Sequence, residues 1–213
     1  MQVISTFSAL LPIIFYFVFF KRNKGGRLWV VPLYTLTSFL TDVVQGMGSN
    51  KGLSFLSATV YTILEGILFV IFLFGHLKST LLRRITILLA ILSLIYGLAS
   101  FMSTQNFEND SLNLGFAAVE EASIIILCIF YYYEQLNNPE VTFIYELKEF
   151  WIITAFFSVT VSTLFLLISS SILGAEMSDY WLISQVATLI KHALLIVALT
   201  RHPLPVLAKR SLN

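Results

Sequence analysis

The residues of this chain that could do chemistry lie inside hydrophobic segments, and Lys191 is the one that costs most to bury. Residues 180–200 are apolar or weakly polar around it, apart from the adjacent His192. A lysine at the centre of a bilayer costs about 2.5–3.5 kcal/mol on insertion scales. Another part of the chain must offset that cost, and an ionisable group inside a membrane segment is by default a functional candidate.

Four carboxylates are the candidates for offsetting the charge of Lys191. Glu65 lies at a similar depth in its own segment, so we expect a Glu65–Lys191 pair near the middle of the membrane. Asp42 lies nearer the outer end of its segment, and so do Glu120 and Glu121, which are adjacent to each other. Glu120 and Glu121 are about a hundred degrees apart on a helix, so at least one should border a polar cavity.

Helical spacing extends this set. Tyr61 precedes Glu65 by four residues, and Thr188 precedes Lys191 by three, which places each pair on one helix face. Gln185 lies on the line beside it. The sequence therefore predicts a ligand-binding or switching site formed by the following residues: Asp42, Tyr61, Glu65, Glu120, Glu121, Gln185, Thr188 and Lys191. The alternative is a buried charge pair that only fixes which helix faces point inward.

The segments that position these residues are membrane helices. Apolar residues make up 57% of the 213 residues and charged residues only 12%, about half the usual share for a soluble domain. Long continuous apolar runs favour helices over barrel strands. We predict a single all-α bundle over residues 1–213 with seven transmembrane helices at 3–20, 28–46, 55–77, 84–102, 112–133, 150–173 and 180–200.

Basic residues predict the orientation of this bundle. Eleven of them fall on one side, in the turns after the first, third and fifth segments and in the tail 201–213, whereas only Lys51 falls on the other. Because basic loops stay in the cytoplasm, the amino terminus should face out and the carboxyl terminus in. The first segment lacks a basic region before its apolar run, so we expect it to remain as a helix and not to be cleaved.

Other classes of protein have little support in the sequence. His76, His192 and His202 are scattered, and no spacing indicates a metal site. We find no nucleophile–base pair and no glycine-rich phosphate loop, so we expect no enzyme and no bound cofactor. A net charge of +1 gives no indication of nucleic acid. The expected partners are the lipid bilayer, an unidentified small molecule and a membrane or cytoplasmic signalling protein.

Two runs and one lysine carry a resemblance to known proteins. With the Ser-Phe-Leu-Thr-Asp run at 38–42, the Tyr-Thr-Ile-Leu-Glu run at 61–65 and Lys191, the chain resembles a group of small, uncharacterised seven-helix bacterial inner-membrane proteins. The resemblance implies a sensor-like component of the bacterial inner membrane, and it supplies no mechanism.

A more distant likeness concerns topology alone. Seven helices with a lysine in the seventh and a carboxylate in the third resemble microbial rhodopsins, which would imply retinal bound to Lys191. However, Ala187 stands four residues before the lysine, where those proteins carry an acidic residue. A three-plus-one-plus-three carrier would have this length, but Pro12 and Pro32 have no counterparts in segments five and six.

The function predicted from the sequence is a non-enzymatic sensor or ligand-binding protein with a polar pocket that faces the exterior. Its signal would leave through the loop 134–149, the basic tail or a helix face. The alternatives are a carrier of a small solute or proton, a structural subunit of a larger membrane complex, and a retinal protein.

Overall fold

A computed structural model describes residues 2–46, 51–103, 110–138, 143–173 and 181–201. All regular elements within these ranges are helical, as the sequence predicts. A 3-10 turn at Ile144–Glu146 precedes α8. The α-helices are α1 (Gln2–Ser8), α2 (Leu10–Val18), α3 (Phe20–Asn23), α4 (Val30–Gly46), α5 (Lys51–His76), α6 (Thr80–Ser103), α7 (Asp110–Leu136), α8 (Lys148–Leu173) and α9 (Trp181–Thr200).

Five of these helices, α5 to α9, are long and apolar enough to cross a membrane, with apolar stretches of 19 to 22 residues. They identify the chain as a multi-pass membrane protein. The first two predicted segments consist of shorter helices. Residues 3–20 are divided among three short helices, and α4 has 17 residues.

The break between α1 and α2 follows from Pro12. A proline ring clashes with the carbonyl four residues earlier and offers no N–H to it, and that residue here is Ser8, the last of α1. The helix is interrupted at Ala9, whose amide donates to the Thr6 carbonyl instead, at 3.2 Å. Another sharp turn at Gly26 has φ +68°, a conformation that favours glycine, and it leads into α4.

The helices pack as a ring in chain order. Each of α4 to α9 contacts the next, and α9 contacts α1 and α2, which in turn contact α4 and close the ring. Large apolar side chains on the outside are exposed, such as Leu88 at 57% and Phe165 at 54%. These exposed residues provide the face that lipid would cover.

One half of the interior is filled by fully buried apolar side chains, which we call the apolar plug. Its members come from α5, α7, α8 and α9 and are each at most 2% exposed: Phe69, Phe72, Leu73, Leu127, Ile152, Phe156, Leu195 and Leu199. They pack as part of one continuous cluster. The plug lies toward the end of the bundle where α5 and α9 terminate and α8 begins.

Polar contacts tie the helices together beyond the plug, at what we call the basic end. Lys148 Nζ donates to Asn23 Oδ1 at 2.8 Å, and Asn23 Nδ2 donates to the Leu199 carbonyl at 3.2 Å. The Arg27 guanidinium donates to the Ile71 carbonyl. These contacts join the turn after α3 to α5, α8 and α9, so they fix where the α4 helix enters the ring.

Lys148→Met should destabilise the fold because it leaves the buried Asn23 carbonyl without its charged donor. We expect a loss of about 1–3 kcal/mol in the free energy of unfolding, the range for a buried hydrogen bond to a charged group. Denaturation in mixed micelles measures this. Lys24→Met is the matched control, because Lys24 is exposed. Equal stability of the two variants would show that the Lys148–Asn23 contact contributes nothing.

Candidate functional site: a polar cavity closed at one end

A cavity of about 370 Å³ lies inside the half of the bundle away from the basic end. It is lined by α1, α4, α5, α7, α8 and α9, so nearly the whole ring contributes. Its side chains are mostly hydroxyls, amides and carboxylates, in contrast to the plug. Gln45, in the last turn of α4, lines it and is exposed, so the cavity reaches the end of the bundle where α4 terminates.

The structure brings together seven of the eight side chains singled out from the sequence. The residues that line this cavity are Asp42, Tyr61, Glu65, Glu121, Gln185, Thr188 and Lys191. Glu120 does not line it and lies instead in a separate apolar groove between α5, α6 and α7. The two adjacent glutamates therefore point into different spaces, as their angular separation on α7 requires.

Glu65 and Lys191 form the floor of the cavity, and Tyr34 lies directly beneath them. Its hydroxyl donates to Glu65 Oε1 at 2.8 Å and accepts from Lys191 Nζ at 3.2 Å. The Tyr61 hydroxyl donates to the hydroxyl oxygen of Tyr34, also at 3.2 Å. Tyr34 is fully buried, and one phenol thus connects an acid on α5 to an amine on α9.

This geometry refines the predicted Glu65–Lys191 pair. Both side chains are buried, at 6% and 3% exposed. However, the structure joins Glu65 to Lys191 through the Tyr34 hydroxyl, which contacts both side chains. Tyr34 is not among the residues predicted from the sequence, although it stands four residues before Ser38 and eight before Asp42, on the same face of α4.

Lys191 also has electrostatic partners around the cavity. The carboxylates of Glu65, Asp42 and Glu121 lie near enough to attract it. Its Nζ lies 5.0 Å from the centroid of the Tyr34 ring, within the range of a cation–π contact. The cost of burying this amine is therefore spread over one ring and three carboxylates.

The first helix carries no charge, but it also contributes polar groups to the interior. Ser5 Oγ donates to Gln185 Oε1, and Ser8 Oγ lies 2.7 Å from His192 Nδ1. Thr163 of α8 also lines the cavity. Hydroxyls in a membrane helix that has no charge can thus face a polar interior.

One carboxylate of the cavity is incompletely satisfied. Oε2 of Glu121 is buried and has no hydrogen-bond partner, although the side chain lies beside Thr160. A buried carboxylate oxygen without a partner carries a desolvation cost. A ligand that donates a hydrogen bond or brings a positive charge would offset it.

The plug closes the cavity toward the basic end. Tyr34 packs on Phe156 with ring centroids 4.5 Å apart, and Phe156 packs on Phe69 at 4.9 Å. All three rings are at most 1% exposed. Within the described residues, the plug therefore closes the cavity at this end of the bundle.

Among the described residues, no group of three or more histidine, cysteine, aspartate or glutamate side chains could hold a metal ion. The chain matches no protein-family model, no curated protein and no solved structure. The functional assignment therefore rests on the geometry and charge of the site.

Proposed function

We propose that this protein is a membrane sensor that binds a small organic cation in the polar cavity and passes the change to a partner. The charge of the cavity carries this proposal. Among the described residues, its ionisable lining comprises the carboxylates of Asp42, Glu65 and Glu121 against the ammonium of Lys191, a formal charge of −2. A protonated or quaternary amine would bring the opposite charge and meet the unpartnered oxygen of Glu121.

The volume and lining indicate the kind of cation. A space of about 370 Å³ is at the lower end of the range for small-molecule sites. The hydroxyls of Ser38, Thr188 and Tyr61 around it suit a compact polar molecule better than a long polyene aldehyde such as retinal. Lys191 itself is engaged with Tyr34, which further disfavours a Schiff base there.

Our proposed topology has seven membrane crossings in the bacterial inner membrane, with the cavity open to the exterior. Residues 3–20 would make the first crossing as broken helices, and α4 the second. The support is the position of the basic residues, which would place the basic end in the cytoplasm. A ligand would then reach Asp42 and Glu121 from outside.

The proposed signal path runs along α9. A cation bound by the cavity carboxylates competes with Lys191 for Asp42 and Glu121, and thereby weakens the ties that α9 makes across the ring. At the other end of α9, Arg201 donates to the Tyr145 carbonyl and lies 4.8 Å above the Trp151 ring. A shift of α9 would therefore alter the 143–149 segment, where we place the contact with a signalling partner.

A small-solute carrier is the second candidate, favoured by charged groups that converge within a membrane bundle. The plug weighs against it because a carried solute would have to displace several fully buried rings. A structural subunit would need no cavity with unbalanced charge.

A carrier and a sensor differ in a measurable way, since a carrier accumulates its solute and a sensor binds it without transfer.

Equilibrium binding tests the proposal. Purified protein in lipid nanodiscs should bind at least one of methylammonium, ethanolamine, tetramethylammonium and diaminobutane saturably, with one site per chain by calorimetry. Glu121→Gln should weaken that binding by about tenfold or more, as expected for loss of a buried charge partner. Glu146→Gln removes the same charge at the basic end and should leave affinity unchanged. Equal loss in both variants, or no saturable binding of any of these cations, would refute the proposal.

A further inference from the structure

The groove that contains Glu120 is a second space, distinct from the polar cavity. It measures about 220 Å³ and is lined by α5, α6 and α7. Its floor is buried, with Phe116, Ile124 and Leu127 at 2–3% exposed. Its rim is formed by the exposed Ile67 and Ile91. The groove therefore opens on the outer surface of the ring, toward lipid, and away from the cavity entrance.

Glu120 is the charged residue of this otherwise apolar lining. It is 5% exposed, and its carboxylate lies against the backbone of Gly66 on α5. A Cβ at position 66 would collide with Glu120 Oε1, so glycine makes the space that admits the carboxylate. The other polar groups of the lining, Ser93 and Ser123, are 3.1 Å apart and bond to each other.

No positive charge of the described chain balances Glu120. The charges that act on it most strongly are Glu65 and Glu121, which are both negative. No arginine, lysine or histidine that the structure describes lines the groove. A carboxylate in an apolar setting without a counter-charge is costly, and the groove supplies an adjoining space in which a counter-charge could sit.

We propose that the groove between α5, α6 and α7 binds a lipophilic ammonium ion that enters from the bilayer, with its charged nitrogen at Glu120. Charge complementarity selects the head group, and the isoleucine and leucine lining selects an apolar body. The rim exposure of Ile67 and Ile91 gives the route of entry. The volume limits the occupant to a short alkyl or a single aromatic body.

This site does not depend on the polar cavity, and the two can be separated by experiment. The probe is hexyltrimethylammonium, titrated into the full-length protein in nanodiscs, with empty nanodiscs subtracted for partition into lipid. Its neutral counterpart is hexanol. We expect saturable binding of the cation with one site per chain and no saturable binding of the alcohol.

Variants on the two faces of α7 decide the location. Glu120→Gln should weaken binding of the probe at least about tenfold, as loss of a desolvated charge partner does, and Glu121→Gln should leave it within about twofold. Ile91→Trp keeps the charge but fills the groove, so it should also weaken binding even if Glu120→Gln folds poorly. Unchanged affinity in both Glu120→Gln and Ile91→Trp would overturn the proposal, as would a loss confined to Glu121→Gln.

Discussion

Lys191→Met should lower the free energy of unfolding by about 3–5 kcal/mol, the cost of removing one partner from a buried charge pair. Glu65→Gln should lower it by less, because Asp42 and Glu121 still attract Lys191. The double variant should lose much less than the sum, because no charge then remains at the floor of the cavity. Reversible unfolding in mixed micelles measures all three differences. The coupling energy is the difference between the double variant and the two singles.

The structure adds that this coupling passes through Tyr34. In a Tyr34→Phe background, the hydroxyl that contacts both Glu65 and Lys191 is absent, and the coupling energy should fall by half or more. Lys191→Met combined with the remote Glu146→Gln is the control and should be additive within about 0.5 kcal/mol. A coupling that survives Tyr34→Phe undiminished would mean that the acid and the amine interact without the phenol.

Phe156→Ala should have the second large effect. Phe156 is 1% exposed and packs between Tyr34 and Phe69, so truncation opens a cavity directly beneath Tyr34. Large-to-small changes of phenylalanine in soluble cores cost about 3–5 kcal/mol. We expect about 2–3 kcal/mol here, because the unfolded reference state in a micelle keeps the ring in an apolar medium.

Phe165→Ala is the matched control for that change. It lies on the same helix and is 54% exposed, so its truncation should cost far less than that of Phe156. Phe156→Ala should also weaken cation binding in the cavity, since Tyr34 loses the ring that holds it in place. Similar stabilities for the two alanine variants would show that the plug does not support the floor.

Helical class and membrane character were predictable because hydrophobic runs and spacing determine them directly. Much of the polar set was predictable too, since carboxylates and a lysine in apolar helices must face inward, and the spacing of Tyr61 and Glu65 fixes their shared face. The seven-crossing count and the orientation remain predictions. The stability of a short helix such as α1 depends on its neighbours, which no run of residues reveals.

The arrangement of the floor was not predictable from spacing. The similar depths of Glu65 and Lys191 in their helices predicted that the two side chains meet. The rotation of α4 about its axis instead places the Tyr34 hydroxyl in contact with both of them. The spacing of Tyr34 with Ser38 and Asp42 placed it on the inward face of α4, but only its tertiary position makes its hydroxyl a bridge. Spacing indicated that Glu120 and Glu121 face different surroundings, but it did not indicate which of them faces the cavity. That depends on which helices pack against each side of α7.

The most direct test of the central claim, a cation-binding pocket closed at one end, is to follow binding and uptake of one labelled cation in the same preparation. The full chain is reconstituted in sealed liposomes, and radiolabelled diaminobutane is added outside, with Glu121→Gln as the reference. We predict rapid, saturable association of one cation per accessible chain, about tenfold or more weaker in the variant, followed by a plateau that a pH gradient or a membrane potential does not raise. Accumulation that grows with time beyond one cation per chain would contradict a pocket closed at one end and would show a carrier. Equal association with parent and variant would contradict the assigned site.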